Sequence, residues 1–168
     1  MNTATEVVWF AGWFLVAFVF ASLVEYWLHR LMHIFPRAIG AVHVRHHQEN
    51  TGQGFWLEFR NYVVGTAPMM ATMFLFSWQI GLSCTLGGLS YAAFAAYAHQ
   101  LQHDNPIKCD WMDMPVHYVH HKYDQWHHNF GLAVDWWDRV FGTYQPKEWL
   151  TADELGGSSR GRMRIKWW

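Results

Sequence analysis

NYVVGTAPMMATMFLFSWQIGLSCTLGGLSYAAFAAYA, residues 61 to 98, runs for 38 positions without a charged side chain or a histidine. As one helix it would reach about 57 Å, nearly twice the ~30 Å hydrocarbon core of a bilayer. Two crossings joined by a turn fit that length. The glycines at 81, 87 and 88 interrupt the apolar pattern, so the turn is expected within residues 79 to 88. A segment that leaves and returns brings its two flanks to one side of the membrane. Upstream, VVWFAGWFLVAFVFASLV between Glu6 and Glu25 supplies 18 more uncharged residues, about 27 Å as helix. The expected fold is therefore an all-α integral membrane protein with about three transmembrane helices and a helical cap.

The charges agree with this topology. All 12 Lys and Arg residues lie outside residues 1 to 6 and the 79 to 88 turn. The positive-inside bias then puts the N-terminus outside and the other face in the cytoplasm. The first segment lacks a basic n-region and runs straight into His29 and His33, so it does not read as a cleavable signal peptide. A net charge of −1 with 15% charged residues gives no nucleic-acid footprint. At 168 residues the chain is one domain's worth, residues 1 to 168, with a core of about 7 to 145 and a basic, aromatic tail over 146 to 168. That tail suits a membrane surface or a disordered end. Cys84 falls near the outer turn and Cys109 on the reducing side, so no disulfide is expected.

The histidines flank the charge-free stretch. His29-x-x-x-His33 and His43-x-x-His46-His47 precede it; His99-x-x-x-His103 and His117-x-x-His120-His121 follow it. Helical spacings of three and four put side chains on one face, so each group can aim two or three imidazoles at one point. Neutral imidazole binds zinc, copper, iron and nickel, and ten histidines exceed what one ion needs. A di-metal centre of two pseudo-equivalent half-sites is expected on the cytoplasmic cap. The first helix should run on to Pro36, a short helix should carry His43 to His47, and another should begin near Pro115 and reach Asp124 one turn on. Iron suits such a site beside a bilayer, because two ferrous ions together can reduce dioxygen to a species that attacks an unactivated C–H bond.

HRLMH (29–33), HVRHH (43–47), HQLQH (99–103) and HYVHH (117–121), with Asn129-Phe-Gly131 and Trp137-Asp-Arg-Val-Phe-Gly-Thr143, resemble the membrane fatty acid hydroxylase and sterol desaturase superfamily over residues 23 to 145. The resemblance implies a non-haem di-iron oxygenase that hydroxylates or desaturates a lipid such as a fatty acyl chain or sterol. It further implies O2 as co-substrate and two Fe ions. Carried over by motif, the ligands would be His29, His33, His43, His46, His47, His99, His103, His117, His120 and His121. The chain is shorter than many members, and no fused cytochrome b5 domain is expected in it. Its electrons should come from a separate donor such as ferredoxin or cytochrome b5 with its reductase.

Asp124, His127, His128 and Asn129 are candidates to orient ligands from behind. Glu25, four residues before His29, is a candidate to touch a ligand or interfacial water, and Tyr26, Trp27 and Trp126 to line a lipid path. Two other readings stand beside the lipid oxygenase: a carotenoid hydroxylase of the same superfamily, and a non-enzymatic membrane protein binding metal or haem. A haem protein would place its histidines at matched depths on facing helices, and a carrier would place polar ligands mid-span. Residues 61 to 98 offer neither.

Overall fold

Helix α1, Thr3–Ile34, continues unbroken from the apolar segment through His29 and His33, as expected. The computed structural model describes residues 3–157 and 161–168. Arg160, which opens the basic run of the tail, lies outside the described residues. A tight turn around Pro36 to Gly40 leads into α2, Ala41–Glu49, which ends at Asn50 in the left-handed conformation. Helix α3, Phe55–Met73, contains Pro68, a break tolerated in apolar helix bundles where neighbours re-satisfy the backbone. Helix α4, Trp78–Asp104, carries His99 and His103 in its last turns. Three short helices follow: α5, Val116–Lys122; α6, Trp136–Val140; and α7, Ala152–Gly157. No strand occurs among the described residues.

Helices α1 and α4 are long and apolar enough to cross a membrane. Val7, Val8, Leu15, Val16 and Phe20 of α1 point outward and are exposed. A patch of that size on a water-soluble monomer would be unusual, whereas acyl chains would cover it.

The connection between α3 and α4 falls at Phe74 to Ser77, not within residues 79 to 88. Ser77 sets this start, because its Oγ accepts the Ile80 N–H at 3.2 Å as an N-cap. Gly81, Gly87 and Gly88 lie inside α4, where they serve contact rather than chain reversal. A Cβ on Gly87 would stand 2.3 Å from the Phe14 carbonyl oxygen of α1. One turn away, Ser83 Oγ donates to the Phe10 carbonyl at 2.5 Å. Small residues let two apolar helices approach this closely. Since 10 meets 83 and 14 meets 87, α1 and α4 run parallel, and both deliver their histidine pairs to the same end.

Residues 166 to 168 pack against the start of α3. Phe55 N–H donates to the Lys166 carbonyl at 3.0 Å and Trp56 N–H to Trp167 at 3.1 Å, so residues 166 and 167 satisfy the otherwise open first turn. Trp167 and Trp168 lie against Phe55 and Trp56.

Candidate metal centre

His29 and His33 come from the end of α1, His43, His46 and His47 from α2, His99 and His103 from the end of α4, and His117, His120 and His121 from α5. Helix α2 can fold back over α1 because Gly40 leaves room; a Cβ there would stand 2.2 Å from the Met32 carbonyl oxygen. At the other end Gln102, fully buried, accepts the His117 N–H at 2.9 Å and donates to the Leu132 carbonyl at 2.5 Å. It joins α4 to the start of α5.

Nine of these histidines fall into two groups able to hold an ion: His29, His33, His43, His47 and His120, and then His46, His99, His103 and His117. In the first, His33 Nε2 lies 2.8 Å from His43 Nε2, 3.2 Å from His47 Nε2, 3.1 Å from His120 Nε2 and 3.3 Å from His29 Nε2. In the second, His46 Nε2 lies 3.1 Å from His99 Nε2 and 3.2 Å from His103 Nε2, which is 3.2 Å from His117 Nε2. An ion bonded at about 2.1 Å to imidazole nitrogens at right angles holds them about 3.0 Å apart. The spacing is that of adjacent ligands.

Hydrogen bonding from behind fixes which nitrogens are bare. Nδ1 of His29 donates to the Phe130 carbonyl at 2.6 Å, Nδ1 of His46 to the Thr51 carbonyl at 3.1 Å, and Nδ1 of His120 to the His128 carbonyl at 2.7 Å. Nδ1 of His99 donates to the buried carboxylate of Glu58. The Nε2 of each of these rings is then the atom directed at the cluster. Burial, followed by the neighbouring imidazoles, lowers the His46 pKa to about 3 and holds His43, His117, His120 and His121 well below the usual imidazole range. His46 and His99 bring their Nε2 atoms to 3.1 Å of each other with both Nδ1 atoms already engaged from behind, a spacing that two ligands of one ion would show.

The two groups do not coincide with the two halves of the sequence. His120 joins the histidines of α1 and α2, and His46 joins those of α4 and α5. On an HxxHH helix the last histidine lies about 40° to one side of the first and the middle one about 60° to the other, so the middle one can reach the opposite group. His121 occupies the place corresponding to His47. Its ring stacks on His47 at 4.0 Å and lies 4.5 Å from His117, and its Nε2 is buried without a hydrogen-bond partner.

Asp138 anchors the segment behind the first group, and the sequence reading passed over it. Its carboxylate accepts the N–H groups of Phe130 at 2.8 Å and Gly131 at 2.7 Å, and the Thr143 hydroxyl at 2.7 Å. Thr143 in turn takes a hydrogen bond from Tyr26 at 2.9 Å. Gly131 admits no side chain, since a Cβ would stand 2.1 Å from the Val134 carbonyl oxygen. Glu58 was also passed over; its signal was an isolated acid at the edge of the charge-free stretch.

The orienting candidates divide. Asn129 is fully buried with φ of 59° and holds Gln125 and Gln145, not a ring. His128 contributes its carbonyl to His120, and His127 is exposed. Helix α5 stops at Lys122, so Asp124 does not extend it; it sits exposed in a left-handed turn with φ of 47°. Glu25 accepts Tyr91 Oη–H at 2.7 Å and Leu132 N–H at 2.8 Å. It steadies the loop whose Phe130 carbonyl holds His29. Tyr26 is buried against Thr143 and Phe141, and Trp126 packs on the His33 ring at 4.3 Å.

The fatty acid hydroxylase family model matches residues 14–143, which include every histidine of the two groups. The chain belongs to the fatty acid hydroxylase family. It is 26% identical over 152 residues to a protein named fatty acid 2-hydroxylase from Mus musculus, covering 83% of this chain. The chain spans 41% of that relative's length. No solved structure matches it significantly. Two of its helices are long and apolar enough to cross a membrane, and its two histidine groups could hold metal ions.

Proposed function

We propose that this chain is a membrane-bound non-haem di-iron oxygenase that hydroxylates, or desaturates, a lipid with dioxygen and electrons from a separate donor such as ferredoxin or cytochrome b5 with its reductase. The observation that carries the reading is the gathering of nine histidines into two groups, within each of which the ligand atoms lie within 4.8 Å of one another. Membership of the fatty acid hydroxylase family supports a lipid as substrate.

One ion would be held by His29, His33, His43, His47 and His120, the other by His46, His99, His103 and His117 with His121 completing the set. Bound iron would supply activation of dioxygen and oxidation of an unactivated C–H bond. The protein's own part is orientation and exclusion of water. Glu58 and the carbonyls of Thr51, His128 and Phe130 keep the Nδ1 protons away from the ions. Trp126 and Phe130 cover the His33 ring with hydrocarbon. The histidine face would lie in the cytoplasm and the N-terminus outside, the orientation favoured by the positive charges. A porphyrin has no place between nitrogens packed 2.8 to 3.3 Å apart.

Metal analysis and absorbance of the purified protein test this reading, together with lipid mass spectrometry of cells with and without the gene. About two irons per chain, no Soret band and a lipid gaining one oxygen or losing two hydrogens are expected. A Soret band, or iron content unaffected by replacing both His46 and His120 with Ala, would overturn it.

A further inference from the structure

The loop between α2 and α3, residues 50 to 54, supports three histidines of the second group from behind. The Thr51 carbonyl takes His46 Nδ1 at 3.1 Å, and the Asn50 backbone hydrogen-bonds His103. The Gln53 N–H donates to Glu58 Oε1 at 3.1 Å, and the other oxygen of that carboxylate holds His99. His29 and His120 of the first group rest instead on the Phe130 and His128 carbonyls. Asn-Thr-Gly-Gln-Gly has two glycines and no apolar side chain to bury, so the shape of this loop must be imposed by its neighbours.

Two neighbours impose it. On one side Gln100 of α4 accepts the Gly54 N–H at 2.9 Å, and a Cβ on Gly52 would stand 2.2 Å from Gln100 Oε1. On the other side lie residues 165 to 168, beyond the stretch that the family model matches. Lys166 Nζ donates to the Gly52 carbonyl at 3.2 Å, and its N–H donates to Asp104 Oδ2 at 2.7 Å. The same Asp104 oxygen takes Gln100 Nε2 at 2.8 Å, which joins the two neighbours to each other. Ile165 is buried beside Leu101 and Val116, and a Cβ on Gly54, at φ 102°, would stand 2.9 Å from the Trp168 carbonyl carbon.

We propose that residues 165 to 168, with Gln100 and Asp104, form a strap that positions the second metal group alone, acting through the loop at 50 to 54. The proposal rests on the di-metal reading above and deepens it by making one of the two ions depend on a segment far from it in sequence. Coupling of this kind is reciprocal. Seating the strap tightens the second ion, and the second ion tightens the strap.

Chelator competition against Fe(II) on the full chain in detergent tests this, with two release steps expected. Deleting residues 166 to 168 should weaken one step about tenfold and leave the other unchanged. Lys166→Pro, which removes both the N–H and the ammonium, should do the same and serves if the deletion does not fold. Lys166→Arg keeps both and should behave as wild type, as should Arg162→Ala, which breaks only the surface pair with Asp110. Combined with Glu58→Gln, the deletion should cost less than the product of the two separate losses, because both act on His99 through one route. Fe(II) should also slow hydrogen exchange at the Gly54, Phe55 and Trp56 amides in His120→Ala, which keeps the second ion, and not in His46→Ala. Unchanged steps, two steps weakened equally, or independent losses in the combined variant would overturn the strap and leave the di-metal reading standing. A wild-type chain that takes up no metal would overturn both.

Discussion

His46 Nε2 and His99 Nε2 lie 3.1 Å apart although one belongs to α2 and the other to α4. The Nδ1 proton of His46 is held by the Thr51 carbonyl, and that of His99 by Glu58. An ion bonded to both Nε2 atoms at about 2.1 Å would hold them at about that distance. His29 and His120 likewise have their Nδ1 atoms on carbonyls and their Nε2 atoms close to His33.

Because His46 and His120 cross between the sequence halves, each single substitution should empty the site of the opposite half. His46→Ala should lower metal content from about two ions to about one, with the remaining ion on the α1 and α2 histidines. His120→Ala should leave the other ion instead. Metal analysis with X-ray absorption on each variant checks this; loss of the same ion in both would refute the crossed arrangement.

Glu58 makes the two sites unequal. A carboxylate behind His99 raises the basicity of its Nε2 more than a carbonyl does behind His29 or His120. Glu58→Gln should weaken metal binding at the His99 site by about 10- to 100-fold while sparing the other. Chelator competition should resolve one weakened step out of two. Two steps shifted equally would show that Glu58 acts on the whole fold.

Asp138 supports the other site through backbone. Its carboxylate holds the Phe130 N–H, and the Phe130 carbonyl holds His29. Asp138→Ala would strand two buried N–H groups and a hydroxyl, at about 1–3 kcal/mol for each unsatisfied group. A clear drop in melting temperature is expected, with preferential loss of the ion at the His29 site. Asp138→Asn, which keeps acceptor oxygen, should fall between the two.

Gly87 and Gly88 are neighbours with different duties. Gly87→Ala drives a methyl to 2.3 Å from the Phe14 carbonyl and should separate α1 from α4, with a marked loss of thermal stability in detergent. Gly88→Ala meets only Met70 Sδ at 3.4 Å and should be tolerated. Equal melting temperatures for the two variants would contradict the helix contact described.

Much of this was legible beforehand. Spacings of three and four, read on helices that Pro36 and Pro115 delimit, marked the histidines of each helix that share a face. The turn between α3 and α4 was not, because a glycine in an apolar segment can mark either a break or a close contact. Only the neighbour opposite Gly87 tells which, and that neighbour, Phe14, lies 73 positions away. The roles of Glu58 and Asp138 were hidden for the same reason, since each acts on a ring or a loop that sequence spacing does not connect to it.

By itself the sequence determined a helical membrane fold and which ten histidines converge, because hydrophobic length and helical periodicity are local properties. The tertiary structure alone decided how those histidines are shared out. Parallel packing of α1 and α4 brings α2 and α5 face to face, and a helix turned by about 100° per residue must then send the middle histidine of each HxxHH across to the other group.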